Sequence, residues 1–138
     1  MSFPFNVRVY GILVIENSVL LSKEKYAGRT FTKFPGGALE FGEGLREALE
    51  REFLEETGLR VKTGKHLYTT DFFQESAFNA DHQILSIYYE VMTNGDFKAI
   101  PIKSLEENQE FFWVSMKELR TDNLTFPIDQ YVCRNFLI

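Results

Sequence analysis

The sequence predicts one layered α/β domain, in which strands pack against two or three helices. Three observations lead to this fold class. Short runs rich in β-branched and aromatic residues are bounded by turn residues in both halves of the chain. Residues 44–57 repeat their apolar positions at three- and four-residue steps, the period of an amphipathic helix. No repeat, low-complexity tract or linker interrupts residues 1–138, so a second domain has no boundary at which to begin.

Five strands are predicted along the chain. They comprise residues 6–15, 19–22, 65–73, 82–92 and 111–114. The first two form a hairpin through Glu16, Asn17 and Ser18, since these residue types favour a tight turn. A polar loop at 74–81 separates the third and fourth strands, and a turn at 94–96 follows the fourth.

The predicted helices are recognised by their apolar stripes and by the residues at their ends. The central helix at 44–57 presents the apolar stripe Leu45, Ala48, Leu49 and Phe53. Gly58 follows it and is the residue type that most often ends a helix in the left-handed conformation. Ser115 is expected to cap a short helix that reaches residue 119, and Pro127 to start a last helix that reaches residue 136.

Carboxylates lie on the inward side of the central helix. At about 100° per residue, Glu52 and Glu56 fall on the apolar stripe, and Glu55 lies on its flank. Glu47 and Glu50 occupy the opposite side, which is expected to face solvent. Like charges at this spacing repel, and a buried carboxylate without a partner is costly. The cluster therefore indicates a bound cation, and oxygen ligands of this kind suit Mg²⁺.

The loop before the helix complements these carboxylates. In the segment 34–37, Phe-Pro-Gly-Gly, Pro35 fixes its own backbone angle and the paired glycines permit conformations closed to other residues. Main-chain groups can therefore approach a ligand closely. We expect a carbonyl of this loop to complete the metal site.

Spacing within residues 37–59 leads to a known family. Gly37, five residues, Glu43, seven residues and then the run REFLEETGL at 51–59 resemble the signature box of the Nudix hydrolases. Phe53 stands where an aliphatic residue is usual, and we expect a packing adjustment around it. The resemblance implies an α/β/α sandwich with a mixed sheet and the box helix on one face. It also implies hydrolysis of a nucleoside diphosphate linked to another group, with Mg²⁺ or Mn²⁺.

The resemblance implies roles for the box residues. The metal ligands are the carboxylates of Glu52, Glu55 and Glu56 and the carbonyl of Gly37. Bound cations would neutralise the diphosphate and lower the pKa of a coordinated water. Glu52 or Glu55 also acts as general base, and the sequence does not choose between them. We expect Glu55→Gln or Glu56→Gln to abolish turnover and to leave the fold intact.

Two further catalytic candidates lie beside this set. Arg51 matches the box arginine and is expected to pair with Glu43 or with a metal-bound glutamate, although an ordinary helix ion pair is the alternative. Some family members take another glutamate from a later loop. Here the candidates are Glu106, Glu107 and Glu110, of which Glu107 is preferred for its position six residues before Trp113. A solvated loop charge is the alternative for each.

Candidate substrate residues are aromatic or basic. Phe73 and Tyr88, with Phe72 and Phe78, could provide a stacking face, and core packing is the alternative. Lys23, Lys25, Arg29 and Lys33 precede the glycine-rich loop and could reach phosphates, with a solvated surface as the alternative. A nucleoside triphosphate is the first predicted substrate. A nucleotide sugar or ADP-ribose is second, and a domain that senses a nucleotide without turnover is the other class.

Composition narrows the possible partners. A formal net charge of −5 gives no electrostatic footprint for a nucleic-acid duplex, and no basic tract is present to guide a long RNA. No segment suggests a signal peptide or a membrane span, so we expect a cytoplasmic protein. Cys133 falls in the apolar last helix and is expected to be a buried packing thiol. The many aromatic residues leave room for a homodimer interface.

Overall fold

The computed structural model describes residues 3–93 and 106–138. Within these ranges the strands are β1 Phe5–Ile15, β2 Ser18–Tyr26, β3 Arg29–Lys33, β4 Gly36–Ala38, β5 Val61–Thr69, β6 Gln83–Thr93 and β7 Gln109–Ser115. The helices are α1 Leu45–Thr57 and α2 Pro127–Val132. A 3-10 turn at Thr121–Asn123 precedes α2, and a wider helical turn at Cys133–Leu137 continues it. The predicted turn at 94–96 lies outside the described residues.

The strands form one mixed sheet. Their order is β3-β2-β1-β6-β5, with β4 added to β1 and β7 added to β2. β1 and β6 run parallel over nine paired positions, whereas the other described pairs are antiparallel. A mixed sheet between helices confirms the predicted α/β/α sandwich. β1 is central, since it contacts β2, β4 and β6.

The predicted hairpin is present with a shorter turn. Glu16 and Asn17 have φ values of 50° and 65°, as a two-residue hairpin turn of type I′ requires. Ser18 pairs with Ile15 and so already belongs to β2. β2 also runs on to Tyr26, beyond the predicted end, because β3 and β7 pair with it on either side.

β3 and β4 were not predicted from the sequence. Both are short, and β4 is Gly36-Gly37-Ala38, whose composition is typical of a loop. Gly36 has a φ of 150°, and a Cβ there would lie 2.0 Å from the Val9 carbonyl oxygen. β4 can therefore pair this closely with β1 only because residue 36 is glycine.

Two predicted elements are corrected. The third predicted strand, 65–73, is instead β5 at Val61–Thr69. It ends where Thr70 turns its hydroxyl onto the Ser86 backbone, donating to the carbonyl and accepting from the amide at 2.9 Å each. The predicted helix at 115–119 is a turn, in which the Ser115 carbonyl accepts from the amides of Glu118 and Leu119. The turn does not extend into a helix, because the chain continues from it to the 3-10 turn at Thr121–Asn123.

The core has two halves, one on each face of the sheet. Below α1 it contains Val9, Leu13, Ala48, Leu49, Phe53, Ile87 and Val91, among others. Below α2 it contains Tyr10, Ile12, Val19, Leu21, Phe34, Ile128 and Val132, among others. Alternate residues of β1 thus enter opposite halves, as the two-residue period of a strand dictates. Cys133 is fully buried in the second half, as predicted.

Phe53 is accommodated by a glycine on β1. It is 1% exposed and packs where a Cβ on Gly11 would lie 2.7 Å from its Cε2 atom. The same Cβ would lie 2.5 Å from Cγ2 of Val91. Gly11 therefore supplies the space that the larger side chain needs, which is the packing adjustment expected from the sequence.

The helix ends agree with the sequence signals. Gly44 precedes α1 in an extended conformation, and Gly58 follows it with a φ of 76° and donates its amide to the Leu54 carbonyl. Pro127 is at the start of α2, where the lack of an amide hydrogen costs nothing. No described helix, within residues 3–93 and 106–138, has the length and apolar character that crossing a membrane requires.

Candidate active site

Gly37 on β4 lies against Glu52 on α1. A Cβ on Gly37 would be 2.5 Å from the Glu52 carboxyl carbon, closer than any side chain allows. The Glu52 side chain is only 15% exposed. The glycine loop and the first box carboxylate, which the sequence predicted to act together, are therefore in direct contact.

Arg51 organises the carboxylates around it. Its Nε and Nη2 donate to the two oxygens of Glu43 at 2.6 and 2.9 Å, a bidentate pair. Nη2 also donates to the Ala38 carbonyl at 3.0 Å. Nη1 donates to Glu52 at 3.0 Å and to Glu55 at 3.2 Å. The hydrogen bonds raise the pKa of Arg51, chiefly through Glu43, and lower the pKa of Glu43. Arg51 thus pairs with Glu43 and with box glutamates at once.

Glu56 is the buried carboxylate of the box helix. Its Oε2 has no hydrogen-bond partner among the described residues. Burial raises its pKa to about 7, with Glu52 and Glu24 adding to the shift and Lys33 opposing it. Lys33 is 5% exposed, lies 3.2 Å from Glu24 and donates to the Gly36 carbonyl at 3.4 Å.

Glu55 and Glu50 lie elsewhere than their helical positions predicted. Glu55 was expected to point inward, but its side chain is 53% exposed and turned towards Arg51. Glu50 was expected to face solvent, but it accepts from the amide and hydroxyl of Thr63 at 3.1 and 2.8 Å. α1 contacts β5 as well as the central strands, so Glu50 reaches Thr63 of β5, whereas Glu55 is drawn to Arg51 one turn earlier in the helix.

Oxygen donors here fit a hard divalent cation. Within the described part of the chain, no three acidic, histidine or cysteine side chains already converge as a metal cluster, and Arg51 draws Glu52 and Glu55 towards itself. Glu56 Oε2 is nevertheless a buried anionic oxygen that lacks a donor. Such an orphaned oxygen is costly unless a cation balances it, and carboxylate and carbonyl oxygens are the ligands that Mg²⁺ takes.

A cavity of about 570 Å³ extends from Glu56 into the domain. It lies between the ends of β1, β2 and β3, the loop at 74–79 and the start of α2. Its charged lining includes Arg8, Glu24, Lys33, Glu56 and Asp129. This volume is within the range of small-molecule sites in proteins.

Asp129 also has one carboxylate oxygen without a partner among the described residues, and it lies in the same cavity. It is 2% exposed, and Oδ1 accepts a short hydrogen bond from the Tyr88 hydroxyl. Oδ2 has no partner among the described residues. Burial raises the pKa of Asp129 to about 6, against the opposing effects of Tyr88 and Lys33. The cavity therefore carries an unsatisfied acceptor at α2 as well as at α1.

Aromatic rings form one wall of the cavity. Phe31 and Phe126 are stacked with ring centroids 5.4 Å apart, and Phe78 meets Phe31 edge-on at 5.0 Å. Tyr26 in turn meets Phe78 edge-on at 5.3 Å. All four residues line the cavity. Such a wall is suited to a flat, apolar part of a ligand.

Some of the predicted substrate residues line the cavity, and others lie outside it. Lys33 and Tyr88 line the cavity, but Tyr88 is fully buried and contacts Tyr10 and Phe34, so its hydroxyl, not its ring face, serves the site. Phe73 is 70% exposed and lies outside the cavity lining. Of the remaining candidates, Lys25 and Phe78 line the cavity, whereas Lys23, Arg29 and Phe72 do not.

The three glutamates predicted from the later loop also differ in whether they line the cavity. Glu106 and Glu107 line the cavity, and Glu110, on β7, does not. The roles of these glutamates stay predictions.

Several residues of the cavity were not singled out from the sequence. They are Arg8, Glu24, Gln109 and Asp129. Asp129 carried no usable signal, because a carboxylate in the first turn of a helix is ordinarily a favourable exposed charge. Arg8 carried one, since it breaks the apolar run of β1.

Comparison with known proteins agrees with this architecture. The MutT protein of Methanosarcina mazei Go1 is 21% identical, with a TM-score of 0.71 over 94% of this chain and 89% of that chain. The MutT Nudix hydrolase of Burkholderia pseudomallei is 17% identical, with a TM-score of 0.76 over 96% and 98% of the two chains. A Nudix hydrolase of Nitrosomonas europaea is 22% identical, with a TM-score of 0.67 over 99% and 72%. At these identities the likeness shows a shared fold.

A family comparison goes further. The model of the NUDIX domain matches residues 4–134, nearly the whole chain. The matched range contains the box at 37–59 and the cavity that the box helix borders. The chain therefore belongs to the Nudix hydrolase family, enzymes that cleave pyrophosphate linkages of nucleotide substrates with divalent metal ions.

Proposed function

We propose that this enzyme hydrolyses a nucleoside 5′-triphosphate to a nucleoside monophosphate and pyrophosphate. One observation carries the proposal: a single cavity joins Glu56 of the box helix to an aromatic wall and to Asp129, and each carboxylate has one oxygen without a partner among the described residues. The part of the cavity at Glu56, the metal end, suits a metal ion with phosphates. The part at Asp129 and the aromatic wall, the base end, suits a nucleobase.

At the metal end, the Gly37 carbonyl and the carboxylates of Glu52 and Glu56 would hold the cation, with Glu55 as a ligand from the exposed edge. The bound ion would neutralise phosphate charge and lower the pKa of a coordinated water. Arg51 holds Glu52 in place through a 3.0 Å hydrogen bond. Either Glu52 or Glu55 would take the proton of the attacking water.

At the base end, Asp129 and the aromatic wall would receive the nucleobase. A base has two apolar faces, which suit the rings of Phe31, Phe78 and Phe126. Its edge carries N–H donors, and Asp129 Oδ2 is an acceptor that no described residue satisfies. A base that presents an N–H group to this oxygen, whether an amino group or the ring N–H of uracil, thymine or guanine, therefore satisfies it.

The function is tested by a substrate panel. Nucleoside triphosphates, nucleotide sugars, ADP-ribose and dinucleoside polyphosphates are incubated with Mg²⁺, Mn²⁺ or EDTA, and the products are separated by chromatography. We expect metal-dependent release of pyrophosphate from a triphosphate. Preferred cleavage of a nucleotide sugar or ADP-ribose would replace the proposed substrate, and binding without turnover would favour a sensor.

Asp129→Ala is expected to change base preference. Loss of a hydrogen bond to a charged group costs about 1.5–3 kcal/mol, so kcat/KM for the preferred base should fall about 10- to 100-fold. Triphosphates of bases that make no such hydrogen bond to Asp129 should change much less. The matched control is Asp122→Ala, which removes an exposed carboxylate paired with Arg120. An equal loss for all four bases would contradict this assignment of the base end.

A further inference from the structure

Arg8 is a cation in the floor of the cavity that the substrate assignment above leaves unused. It lies on β1 between Val7 and Val9 and pairs in register with Ser86 of β6. The two-residue period of the strand puts it on the same face as Tyr10, beneath α2. A charged side chain in the middle of a strand is unusual, and it is retained here beside a cavity that needs polar groups.

One nitrogen of Arg8 is fixed and the other two are available. Nε donates to the Tyr10 hydroxyl at 2.7 Å, and the guanidinium carbon lies 5.8 Å from the centroid of the same ring. Among the described residues, Nη1 and Nη2 have neither a hydrogen-bond acceptor nor a carboxylate within 4.0 Å. Tyr10 therefore orients the planar guanidinium group of Arg8, and the two terminal nitrogens remain free to donate hydrogen bonds.

Lys33 is a second cation beside Tyr10, but its charge is already paired. It lies 5.4 Å from the centroid of the same Tyr10 ring, so both cations share one aromatic support. Lys33 is already paired with Glu24 at 3.2 Å and donates to the Gly36 carbonyl at 3.4 Å. Of these two cations, Arg8 is the one whose charge and donors remain for a ligand.

The neighbours of Arg8 place it between the two ends of the cavity. Tyr10 raises the pKa of Arg8 most, against burial, and Glu52 and Glu24 add smaller increases. Arg8 in turn contributes to lowering the pKa of Asp129. In register it pairs with Ala38 of β4, next to Gly37, which contacts Glu52 at the metal end. Its partner Tyr10 contacts the Tyr88 ring, and the Tyr88 hydroxyl donates to Asp129 at the base end. In a nucleotide, the group between the base and the reacting diphosphate is the phosphate attached to the nucleoside.

We infer that Arg8 binds the phosphate attached to the nucleoside, with Nη1 and Nη2 donating to two of its oxygens. This inference rests on the proposed function. A guanidinium fork matches two phosphate oxygens in a bidentate pair, which a lysine cannot reproduce. The contact persists in the monophosphate product, so it holds the nucleoside half of the substrate while the pyrophosphate half leaves.

The test measures binding of products without turnover. AMP, GMP, CMP and UMP, and the four corresponding nucleosides, are titrated into the enzyme in EDTA by calorimetry. We expect Arg8→Gln to weaken monophosphate binding about 10- to 100-fold, as for the loss of a charge-assisted pair, and to leave nucleoside binding unchanged. Arg8→Lys should recover part of the loss. Tyr10→Phe, which frees Nε, should weaken monophosphate binding about 2- to 5-fold. Arg120→Gln, an exposed arginine, is the matched control.

The outcomes separate this inference from the proposed function. Unchanged monophosphate binding in Arg8→Gln would overturn it, and so would an equal loss for monophosphate and nucleoside, which would make Arg8 a support of the base end. A wild-type enzyme that binds neither product class would overturn the nucleotide site itself. Thermal melting of each variant shows whether the fold is retained, and a loss confined to phosphate-bearing ligands is not produced by partial unfolding.

Discussion

Glu56→Gln is expected to abolish turnover and to stabilise the metal-free enzyme. The substitution removes a charged ligand of the proposed cation, so kcat should fall at least about 10³-fold, equivalent to several kcal/mol of transition-state stabilisation. It also removes a buried carboxylate whose Oε2 lacks a partner among the described residues. Activity and stability should therefore move in opposite directions.

The stability gain should depend on pH. Burial raises the pKa of Glu56 from 4.5 to about 7, so the folded state favours the protonated form. Below pH 4.5 the group is protonated in both states and costs nothing. From pH 4.5 to 7 the unfolded state ionises first, and above pH 7 the folded state carries the full cost, on the order of 1–3 kcal/mol. Glutamine removes this cost.

Thermal melting in EDTA from pH 5 to 8.5, with kcat in Mg²⁺, checks the prediction. Glu55→Gln is the matched control, because Glu55 is half-exposed and paired with Arg51, and its removal should bring no comparable gain in stability. Retained turnover in Glu56→Gln would remove Glu56 from the metal site. A Glu56→Gln protein no more stable than wild type at pH 8 would show that Lys33 already balances the charge.

Gly11→Ala is expected to destabilise the fold by about 1–3 kcal/mol, as overpacking of a core does. The new Cβ would lie 2.5 Å from Val91 and 2.7 Å from Phe53, inside the half of the core that α1 covers. Neither neighbour can move freely, since Val91 is 5% and Phe53 1% exposed. The enzyme therefore has to shift β1, the strand on which both halves of the core depend.

Chemical denaturation of a double-mutant cycle with Phe53→Leu checks this coupling. Leucine is smaller, so the cost of Gly11→Ala should be lower by about 1 kcal/mol in the Phe53→Leu background. Part of the cost should persist, because Val91 still meets the added methyl group. Gly44→Ala is the control, since its Cβ would meet only the flexible end of Glu47 at 3.3 Å. Additive effects of Gly11→Ala and Phe53→Leu would contradict the proposed compensation.

The sequence carries most information where a local pattern decides the structure. α1 was predicted at 44–57 and observed at Leu45–Thr57, because its apolar period and Gly58 act within one segment. The first hairpin was predicted for the same reason. β3 and β4 were missed because their strand character comes from pairing with β2 and β1, not from their own composition. The shift of β5 likewise depends on a contact with Ser86 that lies 16 residues away.

The candidate site shows the same difference between local patterns and contacts between distant segments. The residues proposed to hold the metal are recognisable in the sequence because they lie within 37–59, in one loop and one helix. The residues of the proposed base end are not, because Asp129 is held by Tyr88, which is 41 residues earlier in the chain. Arg8, Glu24 and Lys33 come from three different strands and meet only when β1, β2 and β3 pair. Helical position alone also misjudged Glu50 and Glu55, since the period does not show which neighbour the helix will contact.

The alternation along β1 has a consequence for how this enzyme can diverge. Val9 and Leu13 pack beneath α1, which carries the box glutamates, whereas Arg8 and Tyr10 face the cavity. Substitution at position 8 therefore changes the cavity floor without touching the core residues on which α1 packs. One strand thus supports the box helix with one set of side chains and forms the cavity floor with the other, so each set can change while the other keeps its contacts.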